Sequence, residues 1–97
     1  MNKLYQILGL AMKAGKLSYG DKAIKSIQLK EAKLVLLTSD ASDKTKKRIT
    51  NKCFYYQIEV VLIDDSVYLS QSIGRSNCMY VSILEEGFAK EIKNCLK

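Results

Sequence analysis

The 97-residue chain has no histidine and no proline, and its three cysteines form no C-x-x-C pair. Losing histidine removes the commonest general base. It also removes the usual partner of cysteine at zinc. Cys53, Cys78 and Cys95 stand far apart and are expected to be reduced, mostly buried thiols. No G-x-S-x-G or P-loop pattern occurs, and the five glycines are too scattered for a dinucleotide-binding fingerprint. No apolar run approaches the ~20 residues of a membrane span. The start MNKLYQILGLAMKAGK has an apolar middle, but its spacing is helical and it lacks a small-residue cleavage pattern. It is read as a helix, not a signal peptide. Without proline, long linker, repeat or low-complexity run, nothing divides the chain, and 97 residues are enough for one core. The expectation is one cytoplasmic domain over 1–97, with no catalytic residues, metal, cofactor or membrane partner.

What is present is positive charge, unevenly placed. The formal net charge is +6. Residues 1–52 hold twelve Lys/Arg against four Asp/Glu, a balance of +8, and residues 53–97 hold four against six, a balance of −2. Clustered basic residues in a small domain point to nucleic acid, although charge alone also fits a merely soluble surface.

The apolar spacing orders the chain. Leu4, Ile7, Leu8, Ala11 and Met12 mark a first helix from Asn2 to Lys13, with Asn2 as cap and Gly15 as the left-handed residue that ends it. Lys16-Leu17-Ser18 reads as a short edge strand. Ala23, Ile24 and Ile27 line a second helix over Asp21 to Lys30. Leu34 to Leu37 is an unbroken apolar run, the mark of a strand covered on both faces. Ser42 caps a basic third helix ending at Tyr56, and Ile58 to Ile63 is a third strand. A fourth helix runs from Asp64-Asp65-Ser66 to Gly74, a fourth strand from Cys78 to Leu84, and a fifth helix opens at Glu85-Glu86. This alternation predicts an α/β fold: a three-layer α/β/α sandwich on a four-stranded, mixed but largely parallel sheet.

The paired carboxylates Asp64-Asp65 and Glu85-Glu86 sit where helices begin, and capping accounts for them. The basic surface is left. The turn Tyr19-Gly20-Asp21 opens a helix carrying Lys22 and Lys25, and a helix start suits a phosphate. Lys16 precedes that turn. Arg75-Ser76-Asn77 forms a polar connection before the fourth strand, and such connections can gather at one end of a sheet.

LGLAMKAGKL, AKLVLLTSDAS, TKKRITNKC-x-YY and the closing GFAK, in that order, resemble the bacterial YlxQ-like proteins. Those belong to the ribosomal protein superfamily of L-seven-Ae, L-thirty-e, S-twelve-e and Gadd types, whose archaeal and eukaryotic members bind kink-turn RNA. The resemblance spans Leu8 to Lys90 and implies an L-thirty-e-like sandwich. RNA-binding relatives read Gly-x-Asn-Glu-x-x-Lys into the second helix. Here Asp21 stands at the Asn position, Lys22 at the Glu position and Lys25 at the Lys position. Tyr19 takes the place of the motif glycine, with Gly20 next; a one-residue gap would instead match that glycine to Gly20. The family Glu accepts hydrogen bonds from a guanine, and Lys22 has no acceptor to offer.

The resemblance implies an RNA-binding protein, ribosome- or translation-associated, with structured RNA (a kink-turn or ribosomal RNA) as partner. The ribosome or a translation factor would be near. Lys13, Lys16, Lys22 and Lys25 would hold phosphates; Gly20, Asp21, Gly74, Arg75, Ser76 and Asn77 would form the contact around bases and sugars. The altered motif keeps a second reading open: a protein-interaction module on the same scaffold that no longer reads kink-turns. Salt separates the two, since phosphate contacts weaken steeply with it.

Overall fold

The computed structural model describes residues 3–96. In chain order they form α1 (Lys3–Lys13), β1 (Leu17–Tyr19), α2 (Asp21–Gln28), β2 (Leu34–Thr38), α3 (Asp43–Tyr56), β3 (Val60–Ile63), α4 (Ser66–Ile73), β4 (Tyr80–Ile83) and α5 (Glu86–Cys95). The expected cap at Asn2 and the last lysine, Lys97, lie outside the described residues.

The strands lie in the order β1-β4-β2-β3. β2 and β3 are parallel, with Val35 opposite Val60 and Thr38 opposite Ile63. β4 runs antiparallel to both β1 and β2, pairing Ile83 with Leu17 on one side and with Leu34 on the other. The sheet is therefore mixed, as expected, but the expectation of a largely parallel one needs correcting. β1, β2 and β3 point the same way, yet β4 separates β1 from β2, so two of the three ladders are antiparallel. The cause lies in the connection after α4. Residues 74–79 begin with Arg75 beside Tyr19, at the end of the sheet where β3 finished, so β4 enters from that end.

Alternation along the strands feeds two cores. Leu34, Leu36, Val81 and Ile83 face one side, where Leu8 of α1, Leu69 of α4 and Ile92 of α5 cover them. Val35 and Leu37 face the other, under Ile24 and Ile27 of α2 and Ile49 and Cys53 of α3. All five residues of β2 are buried, as its unbroken apolar run requires. α2 approaches β4 through small polar residues. Ser26 Oγ donates to the Ala23 carbonyl at 2.6 Å and lies 2.7 Å from Ser82 Oγ. Each serine has one hydroxyl proton, so Ser82 donates to Ser26 and this buried pair is satisfied.

The ends of the elements follow their backbone hydrogen bonds. Gly15 ends α1 at φ 72°, and Ser42 caps α3 by accepting from Thr45 N at 3.1 Å. Asp65 caps α4, accepting from Val67 N at 3.0 Å and Tyr68 N at 3.1 Å. Three strands start later than their apolar runs suggest, because the preceding N–H is already engaged. Lys16 N donates to the Ala11 carbonyl, Ile58 N to the Cys53 carbonyl and Cys78 N to Ser70 Oγ. Each of these bonds belongs to the end of a helix or to a helix side chain.

Candidate functional site

The turn into α2 rests on Gly20. Its backbone adopts φ 62° and ψ −140°, a conformation that residues with a Cβ rarely enter. A Cβ there would meet nothing within 4 Å, so the glycine is needed for backbone shape rather than for space. Ala23 N and Ile24 N return to the Gly20 carbonyl at 3.0 and 3.3 Å. No side chain caps the helix. The N–H groups of Asp21 and Lys22 precede the first helical bonds, at the positive end of the helix dipole. Asp21, Lys22 and Lys25 are all exposed.

The second segment is the loop after α4. Gly74 ends that helix at φ 70°, and Asn77 takes φ 53°, which asparagine tolerates better than most residues. Gly74, Arg75, Ser76 and Asn77 are exposed. Arg75 carries the loop to the turn before α2. Its Nε donates to the Tyr19 hydroxyl, its guanidinium carbon lies 5.3 Å from the centre of the Tyr19 ring, and its Nη1 donates to the Gly74 carbonyl at 3.1 Å. A cation stacked on an aromatic face and held by hydrogen bonds is fixed in position.

Sheet direction explains the meeting. β1, β2 and β3 finish where β4 begins, so the turn into α2, the loop at Ser39–Ser42 and the approach to β4 share one end of the sheet. At that end Tyr80 faces the α2/α3 layer. Burial pushes its hydroxyl pKa up, the Arg48 charge pulls it down and the Asp21 charge pushes it up.

The structure brings together Gly20, Asp21, Gly74 and Arg75. Lys13, the last residue of α1, lines a shallow groove with Gly74. Lys22 and Lys25 project from the first turns of α2, and Ser76 and Asn77 continue the loop. Lys16 does not join them. Its carbonyl accepts from Leu84 N at the far end of β1, about 13 Å of strand from Gly20.

Among the described residues, none of the lysines on this surface is in an ion pair; the ion pair among those residues lies elsewhere and joins Lys93 of α5 to Glu59 at 2.7 Å. Cations without internal partners on a rigid frame are available to an external polyanion. No three His, Cys, Asp or Glu side chains among the described residues are placed to hold a metal ion. No helix among them is long and apolar enough to cross a membrane.

Two residues of this region were not marked as contacts by the sequence. Tyr19 was read only as part of the turn, and its role as the seat of Arg75 depends on a contact between residues 56 apart. Arg48 belonged to a basic run whose direction no spacing reveals.

Comparison with known proteins places this geometry among relatives. The family model described as "Ribosomal protein L7Ae/L30e/S12e/Gadd45 family" matches residues 2–93. A protein of Bacillus subtilis (strain 168) named "RNA-binding protein YlxQ" is 40% identical over 93 residues, which is 95% of this chain and 93% of that one. An Enterococcus faecium protein of the same name is 34% identical over 96 residues, 98% of this chain and 92% of that one. A solved structure of a protein with unknown function from Bacillus halodurans C superposes with a TM-score of 0.92 at 31% identity, over 99% of this chain and 98% of that one. The Giardia lamblia 15.5kD RNA binding protein shares the fold, with a TM-score of 0.78 at 17% identity over 96% and 81% of the two chains.

Proposed function

Because the chain belongs to the ribosomal protein L7Ae/L30e/S12e/Gadd45 family, we propose that it binds structured RNA by shape and charge, without catalysis. The observation that carries the reading is the seating of Arg75 on Tyr19, which joins the loop before β4 to the uncapped start of α2. Two relatives named as RNA-binding proteins support it.

The proposed ligand is a sharply bent RNA, a kink-turn or a comparable element of ribosomal RNA, met in the cytoplasm. The domain over 1–97 is the binding unit. At a bend, two phosphate backbones approach one small surface. The N–H groups at the start of α2 take one phosphate, and Lys22, Lys25 and Lys13 neutralise its neighbours. Nη2 of Arg75, with Ser76 and Asn77, meets sugars and base edges from the other side. Lys16 stands apart and takes no part in the bend. Asp21 supplies the acceptor that Lys22 lacks, at shorter reach than a glutamate.

The test titrates the purified chain against a kink-turn RNA and a straight duplex of equal length at two salt concentrations. Tight, salt-sensitive binding that favours the bent RNA is expected, and Lys22→Glu with Lys25→Glu should abolish most of it. Equal weak binding to both RNAs, or a charge-reversed variant that binds normally, would overturn the reading.

A further inference from the structure

Among the described residues, the most exposed of the large apolar side chains lie away from the turn into α2, at the end of α3. Phe54 is 86% exposed and Tyr55 77%. A single exposed aromatic needs no explanation, but two adjacent ones at the end of a basic helix form a patch. α3 carries Lys44, Lys46, Lys47, Arg48 and Lys52 against one acid, Asp43. None of these cations is in an ion pair among the described residues. Lys47, Asn51, Phe54 and Tyr55 follow the three- and four-residue spacing of one helix face, and all four are exposed. Tyr55 is held in place. Its ring stands edge-on to that of Tyr56, 4.8 Å between centres at 81°, and Tyr56 packs against the core under α3. α3 also packs against α2, whose start belongs to the site already described.

We infer that α3 is a second RNA contact, on which an unpaired strand leaving the bend lays its phosphates along Lys47 and Arg48 and stacks a base on Tyr55 or Phe54. The inference rests on the proposed RNA function. Charge decides the occupant: a face of cations with exposed aromatics fits a polyanion whose bases have flat apolar faces. From Arg48 to Tyr55 the helix rises about 10 Å, which matches on the order of three stacked nucleotides. Stacking on an aromatic ring is sequence-tolerant, so this contact adds affinity without reading bases.

The experiment compares a kink-turn RNA with the same RNA carrying a short unpaired extension, using the full chain. The extension is expected to tighten binding by about tenfold. Phe54→Ala with Tyr55→Ala should remove that gain and leave the unextended RNA bound as before. Both side chains are exposed, and an unchanged melting temperature shows that the variant folds. Lys22→Glu with Lys25→Glu should instead weaken both RNAs. If the extension adds nothing, or the double alanine variant keeps the gain, the inference is overturned while binding of the unextended RNA still stands. If neither RNA binds, the α2 reading falls and this one with it. Self-association that the alanine variant abolishes, with RNA binding unchanged, also overturns it and assigns the patch to protein contact.

Discussion

Arg75 and Tyr19 are 56 residues apart in sequence, yet the guanidinium of one lies over the ring of the other and donates to its hydroxyl. Arg75 should therefore act as a positioned cation rather than a mobile one. Arg75→Ala is expected to weaken binding of bent RNA about tenfold or more, the usual worth of a hydrogen bond to a charged group. Tyr19→Phe keeps the ring and loses only the hydroxyl, so its effect should be smaller, and Tyr19→Ala should approach that of Arg75→Ala. Filter-binding curves on the three variants check the order.

Gly20 holds a conformation in which a Cβ is strained even though the space around it is open. Gly20→Ala should destabilise the fold by about 1–3 kcal/mol. Urea unfolding measures this directly. A variant as stable as the parent would mean that the turn into α2 relaxes to another shape at no cost.

Asp40 joins the loop after β2 to the start of α4. Its carboxylate accepts from Ser66 N at 3.0 and 3.2 Å and from Ser66 Oγ at 2.8 Å. The side-chain bond first, and then the backbone bond, hold its pKa below the ordinary carboxylate value, against a smaller effect of burial. A depressed pKa contributes stability that is complete above the unfolded value, about 3.9, and is lost as pH falls through the folded value. Asp40→Asn should therefore melt lower than the parent at neutral pH, with the gap closing in acid. Melting temperatures from pH 7 downward decide it, and a gap that widens in acid would contradict the assignment.

The three thiols differ in exposure. Cys53 and Cys78 are buried, whereas Cys95 is half-buried. Burial pushes the Cys53 thiol up to about 11, and burial also raises Cys78, against a smaller lowering effect of the Tyr80 backbone. Protonated, covered thiols react slowly. Brief alkylation at neutral pH, read by mass spectrometry, should label Cys95 first, and Cys95→Ser should remove the fast-reacting thiol.

Much of the fold can be read in the sequence because its signals are local. Leu34 to Leu37 is a buried strand by its run alone, and Ser42 and Gly15 mark helix ends by chemistry that acts within four residues. The direction of β4 is not local, since it depends on where residues 74–79 return the chain. β3 misleads for a related reason. Its VVLI looks like a covered strand, yet it lies at the sheet edge and leaves Leu62 59% exposed. For the candidate site, the turn at Gly20 and the loop at Arg75 are each visible as a motif, and the structure brings them together. Lys16 reads as part of the same basic stretch, but a three-residue strand carries it to the opposite end.

β1 finds its hydrogen-bonding neighbour only in β4, more than sixty residues later. Contacts so distant in sequence form late, and a chain made from its N-terminus has no β4 until the other three strands have been made. Until then the strand that precedes Gly20 has nothing to pair with, and Arg75 has no fixed ring to rest on. The lysines of α2 exist early as scattered charges. They become a surface of defined shape only when the last strand slides between β1 and β2. Formation of the proposed binding face and completion of the sheet are one event, so a chain that ends before β4 carries the lysines of α2 without their final geometry.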